Sequence, residues 1–157
     1  MLHNGGISQR SLIKETSLEV DRKLMEVNFF GTVALTKALL PYFIHQKSGQ
    51  FAVITSLVGK FGTPFRSSYS ASKHALHGFF DTLRAEHFND QVAVTIICPG
   101  FIRTQVSVNA LTGDGSVLGE MDQAQAKGMS PEQCAEEIYD GITLSLIHIS
   151  EPTRQAE

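Results

Sequence analysis

A chain of 157 residues, 42% hydrophobic and 18% charged, has room for one domain with a buried core and not for two, and its composition excludes a disordered tract. Thirteen basic against sixteen acidic residues leave a net charge of -3, and no run of Lys and Arg offsets it, so nucleic acid is not an expected partner. Cys98 and Cys134 form neither a CxxC pair nor a disulfide framework, which points to a reducing, intracellular setting. The start MLHNGGISQRS lacks the basic-then-apolar layout of a secretory leader, and no run of roughly 18 apolar residues is present to cross a membrane.

The opening MLHNGG reads as the end of a strand entering a loop. Thr16-x-x-Glu19 has the form of a capping box. Val20, Leu24, Val27 and Phe30 follow at helical spacing, predicting a helix from about Thr16 to Leu40 that loosens at Pro41. Gln50 to Thr55, QFAVIT, is an apolar run of β-formers and predicts a buried strand ending at Ser56. A loop from Gly59 to Ser68 leads to a second helix from about Tyr69 to His87, with Leu76, Phe79, Phe80 and Leu83 on its apolar face. VAVTIIC, ending at Cys98, predicts another buried strand, stopped by Pro99-Gly100. Residues 101–129 are glycine-rich and loop-like, and Ser130-Pro131-x-Gln133 starts a last helix that reaches about Ile142. Strands alternating with helices in this way imply a parallel sheet with crossover helices.

Tyr69 and Lys73, four apart at a helix start, share one face. An ammonium beside a phenol favours the phenolate, so Lys73 is expected to lower the pKa of Tyr69 and make it a proton donor and acceptor near neutral pH. Ser56 lies at a strand's carboxyl end, where open α/β sheets hold their ligands. The three side chains are expected to converge on one cleft, with Asn28 behind them. His74 and His77 have no third residue at metal-ligand spacing, so no metal site is expected.

HNGG, VNFFGT, ITSLVG, YSASK and PGFIRT occur here in a fixed order. In order, spacing and placement they resemble the NNAG loop, helix Asn, strand-end Ser, YxxxK and PGxxxT motifs of short-chain dehydrogenase/reductases. GISQRS, ALTKALLP, SKHALHGFF and NALTGDGS resemble the dehydrogenase/reductase member 7-like branch. The resemblance implies a Rossmann-like doubly wound parallel sheet of which this chain holds the C-terminal half, strands four to six with their helices, the first βαβ units being missing. It implies a catalytic set of Asn28, Ser56, Tyr69 and Lys73. In that set Tyr69 is the acid/base, Lys73 tunes it and contacts the nicotinamide ribose, Ser56 steadies the substrate oxygen, and Asn28 holds a water of a proton relay. It implies NAD or NADP as cofactor, held by Asn4, Gly6, Tyr69, Lys73, Pro99, Gly100, Ile102 and Thr104. The reaction implied is reversible hydride transfer between the nicotinamide and a small-molecule alcohol/carbonyl pair, in a homo-oligomeric parent.

Three departures accompany the resemblance. The family's TGxxxGxG turn does not occur in this sequence. His3 and Gly5 stand at the usual Asn and Ala of the NNAG loop. Residues 1–142 form the partial domain, whereas 143–157, TLSLIHISEPTRQAE, resemble translated linker sequence and are set aside; the alternative is a divergent strand, LSLIHIS, which alternates well enough to pair. A second reading of the whole is a non-catalytic fragment that associates through its two long helices, 16–45 and 69–88.

Overall fold

The computed structural model describes residues 1–144, 146 and 148–150, the last two by backbone alone. Four parallel strands lie side by side in chain order: β1 (Leu2–His3), β2 (Gly49–Ile54), β3 (Val92–Cys98) and β4 (His148–Ser150). Phe51 pairs with Val94 and Val53 with Ile96, and β1 joins through Leu2 opposite Ala52. Because each new strand adds on the same side, β1 keeps one edge unpaired among the described residues.

One continuous helical stretch fills the first crossover: α1 (Leu18–Met25), a wide turn at Glu26–Phe30 and α2 (Gly31–Gln46). Its N-cap is Ser17, whose hydroxyl accepts from Val20 N–H, and not Thr16 as the capping-box pattern predicts. Thr16 is taken elsewhere: its hydroxyl donates to Leu12 O and meets Ser11 and Gln9. The helix also outruns the predicted end at Leu40. Pro41 sits inside it, and the turn beyond carries Phe43 onto Phe51 with ring centroids 5.0 Å apart, so core packing outweighs the lost backbone bond. The stretch Leu18–Gln46 is long and apolar enough to cross a membrane. Its inner face is spent on the fold, with Val20, Leu24, Asn28, Thr32 and Thr36 buried.

The second crossover is α3 (Ser67–Glu86), whose Leu76, Phe80 and Leu83 cover Phe51, Val53, Val94 and Ile96 in the main core. A long excursion from 101 to 129 follows, containing the single turn α4 (Gln123–Ala126). It is tied at its neck by Arg103 N–H to Met129 O and Met129 N–H to Phe101 O, both 2.9 Å. The last helix is α5 (Pro131–Thr143), with the expected Ser130/Gln133 capping box formed in both directions.

The sequence reading set 143–157 outside the fold. The structure instead brings His148–Ser150 beside Ile96–Cys98, because the exposed side of β3 offers a free ladder to any alternating segment that reaches it. Residues 151–157 lie outside the described residues. His3, the unexplained departure in the opening loop, is a core residue: its ring stacks on Phe51 at 5.9 Å and its Nε2 bonds the Thr36 hydroxyl at 2.9 Å. Burial, with a smaller push from the N-terminal ammonium, lowers its pKa and keeps it neutral.

Candidate active site

The carboxyl ends of β1, β2 and β3 open into one cavity of about 930 Å3. Asn4, Gly6, Ser56, Tyr69, Lys73, Pro99, Gly100, Ile102 and Thr104 all line it, so the structure brings together every predicted site residue except Asn28. Each gets there for a local reason. Ser56 follows the last paired residue of β2 and caps a short turn through Val58 N–H. Tyr69 is the third residue of α3, and Lys73 lies one turn further on the same face. Ser56 lies near enough to the Tyr69 phenol to favour its ionised form. Lys73 Nζ lies 5.7 Å from the centre of the Tyr69 ring and donates to Ile54 O at 3.0 Å.

The electrostatics differ from the simple expectation for a Tyr/Lys pair. Burial raises the Tyr69 pKa above its ordinary 10.0, and the neighbouring Ser56 hydroxyl and the charges of Arg10 and Arg66 oppose that only in part. Lys73 is itself buried, and burial alone brings its pKa from 10.5 to about 8. The low-dielectric environment that strengthens the pair's attraction also penalises both charged forms, and that penalty decides the direction here.

Asn28 stands behind the cavity wall. The wide turn Glu26–Phe30, in which Gly31 N–H reaches back to Glu26 O, interrupts the regular ladder at this residue. Its amide is fully buried and committed: Oδ1 accepts from Ile7 N–H at 2.8 Å, and Nδ2 donates to Ile7 O at 2.9 Å and to the Ser72 hydroxyl at 3.0 Å. Ser72 in turn donates to Tyr69 O at 2.8 Å. Asn28 therefore ties the loop after β1 to the turn of α3 that carries Tyr69, its side-chain bonds going to Ile7 and Ser72 and not to Lys73. Gly6 separates them: a Cβ there would lie 3.2 Å from Asn28 Oδ1 and 3.5 Å from Lys73 Nζ. Asn28→Ala leaves the Ile7 backbone groups unpaired in a buried place. We expect it to cost about 2–4 kcal/mol of stability, read as a lower urea midpoint; an unchanged midpoint would show that water replaces the amide freely.

Sequence reasoning missed four polar residues that shape the site. Gln9, fully buried, accepts from Ser68 N–H at 3.0 Å and so caps α3 at its start, where no local side chain does. The Ser68 hydroxyl is held by Asp21. Gln125, also buried, donates to the Thr104 hydroxyl at 3.1 Å and fixes that side chain at the cavity's far lip. Arg10 and Arg66 line the cavity beside the phenol. Gln9 and Arg10 stand in the noted GISQRS segment, but nothing local in a sequence joins a residue to a helix start 59 positions away.

His74 Nδ1 lies 2.8 Å from Ser70 O, so its nearest partner is on its own helix. His77, Asp81 and His148 do hold possible ligand atoms within 4.8 Å of one another, a grouping that the spacing did not reveal. Asp81 is already paired to Arg84 at 2.9 Å and, like His148, is exposed, whereas His77 is buried with its Nε2 3.1 Å from the Thr55 hydroxyl.

The sequence profile of the family described as short chain dehydrogenase matches residues 1–114. "Dehydrogenase/reductase SDR family member 7B" of Mus musculus is 50% identical over 142 residues, covering 90% of this chain and 44% of that protein. "Dehydrogenase/reductase SDR family protein 7-like" of Drosophila melanogaster is 53% identical over the same length and the same shares. The chain thus spans less than half the length of these curated relatives. Among solved structures, a short-chain dehydrogenase from Sphingobium yanoikuyae in complex with NADPH superposes with a TM-score of 0.83 at 20% identity, over 98% of this chain and 57% of that one. One from Burkholderia phymatum in complex with NAD gives 0.81 at 19% identity, over 95% and 59%. At these identities the two structures bear on the fold alone.

Proposed function

This chain belongs to the short-chain dehydrogenase/reductase family, and from that membership we propose that it carries the proton-transfer half of a nicotinamide-dependent oxidoreductase acting on a small-molecule alcohol/carbonyl pair. The single observation that carries the reading is the convergence of Ser56, Tyr69 and Lys73 on one cavity at the strands' carboxyl ends, with Lys73 Nζ 5.7 Å from the centre of the Tyr69 ring. We read β1, β2 and β3 as strands four, five and six of the family's doubly wound sheet, and 1–142 as the partial domain. The match to the curated relatives has the same length, 142 residues.

The residues present fit one end of a dinucleotide. Asn4, Gly5 and Gly6 form a loop with open space beside Gly5, while Pro99, Gly100, Ile102 and Thr104 form the facing wall. These would hold the nicotinamide and its ribose, with Lys73 reaching the ribose. No glycine-rich phosphate turn occurs in the sequence, so the pyrophosphate would be held by a part of the protein outside this chain. When bound, the nicotinamide supplies or accepts the hydride.

The protein's own residues handle the proton and the oxygen. In the reducing direction Tyr69 gives its phenolic proton to the oxygen that becomes the alcohol, and Ser56 donates to that same oxygen and keeps it facing the phenol. Lys73, charged below about pH 8, then steadies the phenolate left behind. Asn28 keeps the turn carrying Tyr69 in register with the loop at Ile7. The family resemblance gives Asn28 a water-relay role; with both Nδ2 donors taken by Ile7 O and the Ser72 hydroxyl, only the second lone pair of Oδ1 is left for it.

The outward face of the helical stretch Leu18–Gln46 exposes Val27, Phe30, Leu35 and Tyr42, and we read it as the surface through which the parent protein self-associates. The decisive assay follows nicotinamide absorbance in the full-length protein against a panel of ketones and alcohols with each cofactor. Turnover with any member supports the reading; a folded protein that binds either cofactor and turns over none of a broad panel would sink it.

The buried lysine has a stability signature of its own. Below pH 8 both folded and unfolded states hold the Lys73 proton, and the folded state bears the whole burial penalty. Between about 8 and 10.5 the folded state has released the proton and the unfolded state has not, so rising pH stabilises the fold. Above 10.5 the penalty is gone. It is on the order of 3 kcal/mol, less roughly 1 kcal/mol for the bond to Ile54 O. Lys73→Met is therefore expected to raise the Tm of the full-length protein at pH 7, with the gain vanishing towards pH 10.5. A loss of stability at pH 7 would show that the lysine is better solvated than its burial implies.

A further inference from the structure

One carboxylate oxygen in the long excursion gathers two arginines from two other segments. Asp122 Oδ2 lies 2.9 Å from Arg66 Nη2 and 3.7 Å from Arg10 Nη2. Arg10 comes from the loop after β1, and Arg66 is the N-cap residue of α3, three positions before Tyr69. All three side chains are largely shielded, at 23%, 17% and 14% exposure for Asp122, Arg66 and Arg10. Other atoms of the cluster are held too, although Arg10 Nε is buried without a partner among the described residues. Asp122 Oδ1 accepts from Ala124 N–H at 2.9 Å, and its own N–H donates to the Ser107 hydroxyl at 3.2 Å. Arg10 Nη1 donates to the Ser8 hydroxyl and to Gln9 O at 2.7 and 2.8 Å. Both arginines line the cavity that holds Ser56 and Tyr69.

We propose that Asp122 is a positioning residue for Tyr69: it gathers Arg10 and Arg66 into one ion-paired cluster that fastens the 101–129 excursion over the phenol and offsets the two positive charges facing it. The proposal rests on the reading of Tyr69 as the proton-transfer group. Two buried guanidiniums oppose one another, and burial and Arg66 both work against the charge of Arg10 while Asp122 supports it. Removing the carboxylate's charge leaves both arginines to favour the phenolate without compensation; removing one arginine does the reverse. The other groups around the phenol are few. Lys73 lies on α3 itself, Ser56 comes from the end of β2, and α1 presents apolar Val20 and Leu24, its Asp21 being held by the Ser68 hydroxyl.

The test is the alkaline titration of Tyr69 in the full-length protein, read as tyrosinate absorbance and assigned by subtracting Tyr69→Phe, together with the pH profile of turnover. Asp122→Asn is expected to lower the Tyr69 midpoint by about half to one pH unit and to move the turnover profile the same way. It should also raise the apparent KM several-fold as the excursion loosens. Asp122→Glu should restore both. Arg66→Met should raise the midpoint, the opposite of what unfolding does, since a freed phenol falls back to about 10. Midpoints unmoved in both variants, or shifted in the same direction, overturn the proposal. Should Asp122→Asn not fold, the sign of the Arg66→Met shift still decides it. Full turnover in Tyr69→Phe alongside opposite midpoint shifts would remove the acid/base reading and leave the positioning of the phenol standing.

Discussion

Tyr69→Phe in the full-length protein is expected to reduce turnover by about a hundredfold or more while cofactor affinity stays within a few-fold of the parent. The substitution keeps the ring, and with it the packing against Val20, Leu24 and Leu111 in the small core beneath the site. It removes only the hydroxyl, hence the transferable proton. Ser56 lies in the cavity and caps its own turn through Val58 N–H, so it keeps a partner when the phenol goes. The fold should therefore be nearly unchanged, and the loss should appear in kcat more than in KM, as it does when an interaction belongs to the transition state. Single-turnover kinetics with saturating cofactor checks this. A variant that retains turnover within a few-fold of the parent would transfer the acid/base role to another group.

Residues 1–157 expressed alone are expected to self-associate and to show no saturable binding of NAD or NADP. The argument starts from the sheet. β1 leaves its outer edge unpaired among the described residues, and Leu2 on that strand is half exposed. One face of β2 and β3 is sealed by α2 and α3. Behind the other face the cavity is lined by Leu2, Ile54, Ile138 and Ile142, apolar groups that a dinucleotide and further structure would cover in a complete fold. An open strand edge beside an apolar surface favours association. The cofactor would meet only the residues of its nicotinamide end, without the helix N-terminus that offsets pyrophosphate charge. Size exclusion and calorimetric titration read both outcomes. A monodisperse chain that binds either cofactor tightly would mean that the contacts at Lys73 and Thr104 suffice.

Much of this architecture is carried by short-range pattern. VAVTIIC is a strand in the structure, six of its seven residues buried, because so apolar a run rich in β-branched residues is shielded from water in a sheet, and Pro99-Gly100 stops it for want of a donor. The capping box before α5 forms as written because all its partners lie within four residues. Tyr69 and Lys73 share a face for the same reason, four residues being one turn. What failed was also local in kind: Ser17 displaced Thr16 as the N-cap once Thr16 was drawn to Gln9 and Ser11, and α2 ran through Pro41 once Phe43 had Phe51 to pack against.

The tertiary structure alone decided the rest. Asn28 could be placed in a helix from sequence, but its three bonds go to Ile7 and Ser72, 21 and 44 positions away. Arg10 and Asp122 meet across 112 positions. Motif spacing predicted that Lys73 would lower the pKa of Tyr69. Folding buried both groups, and burial raised the phenol and lowered the amine. Spacing along a chain reports which residues share a turn. The charge state of a group depends on how much water every neighbouring segment has removed, and that sum exists only once those segments have come together.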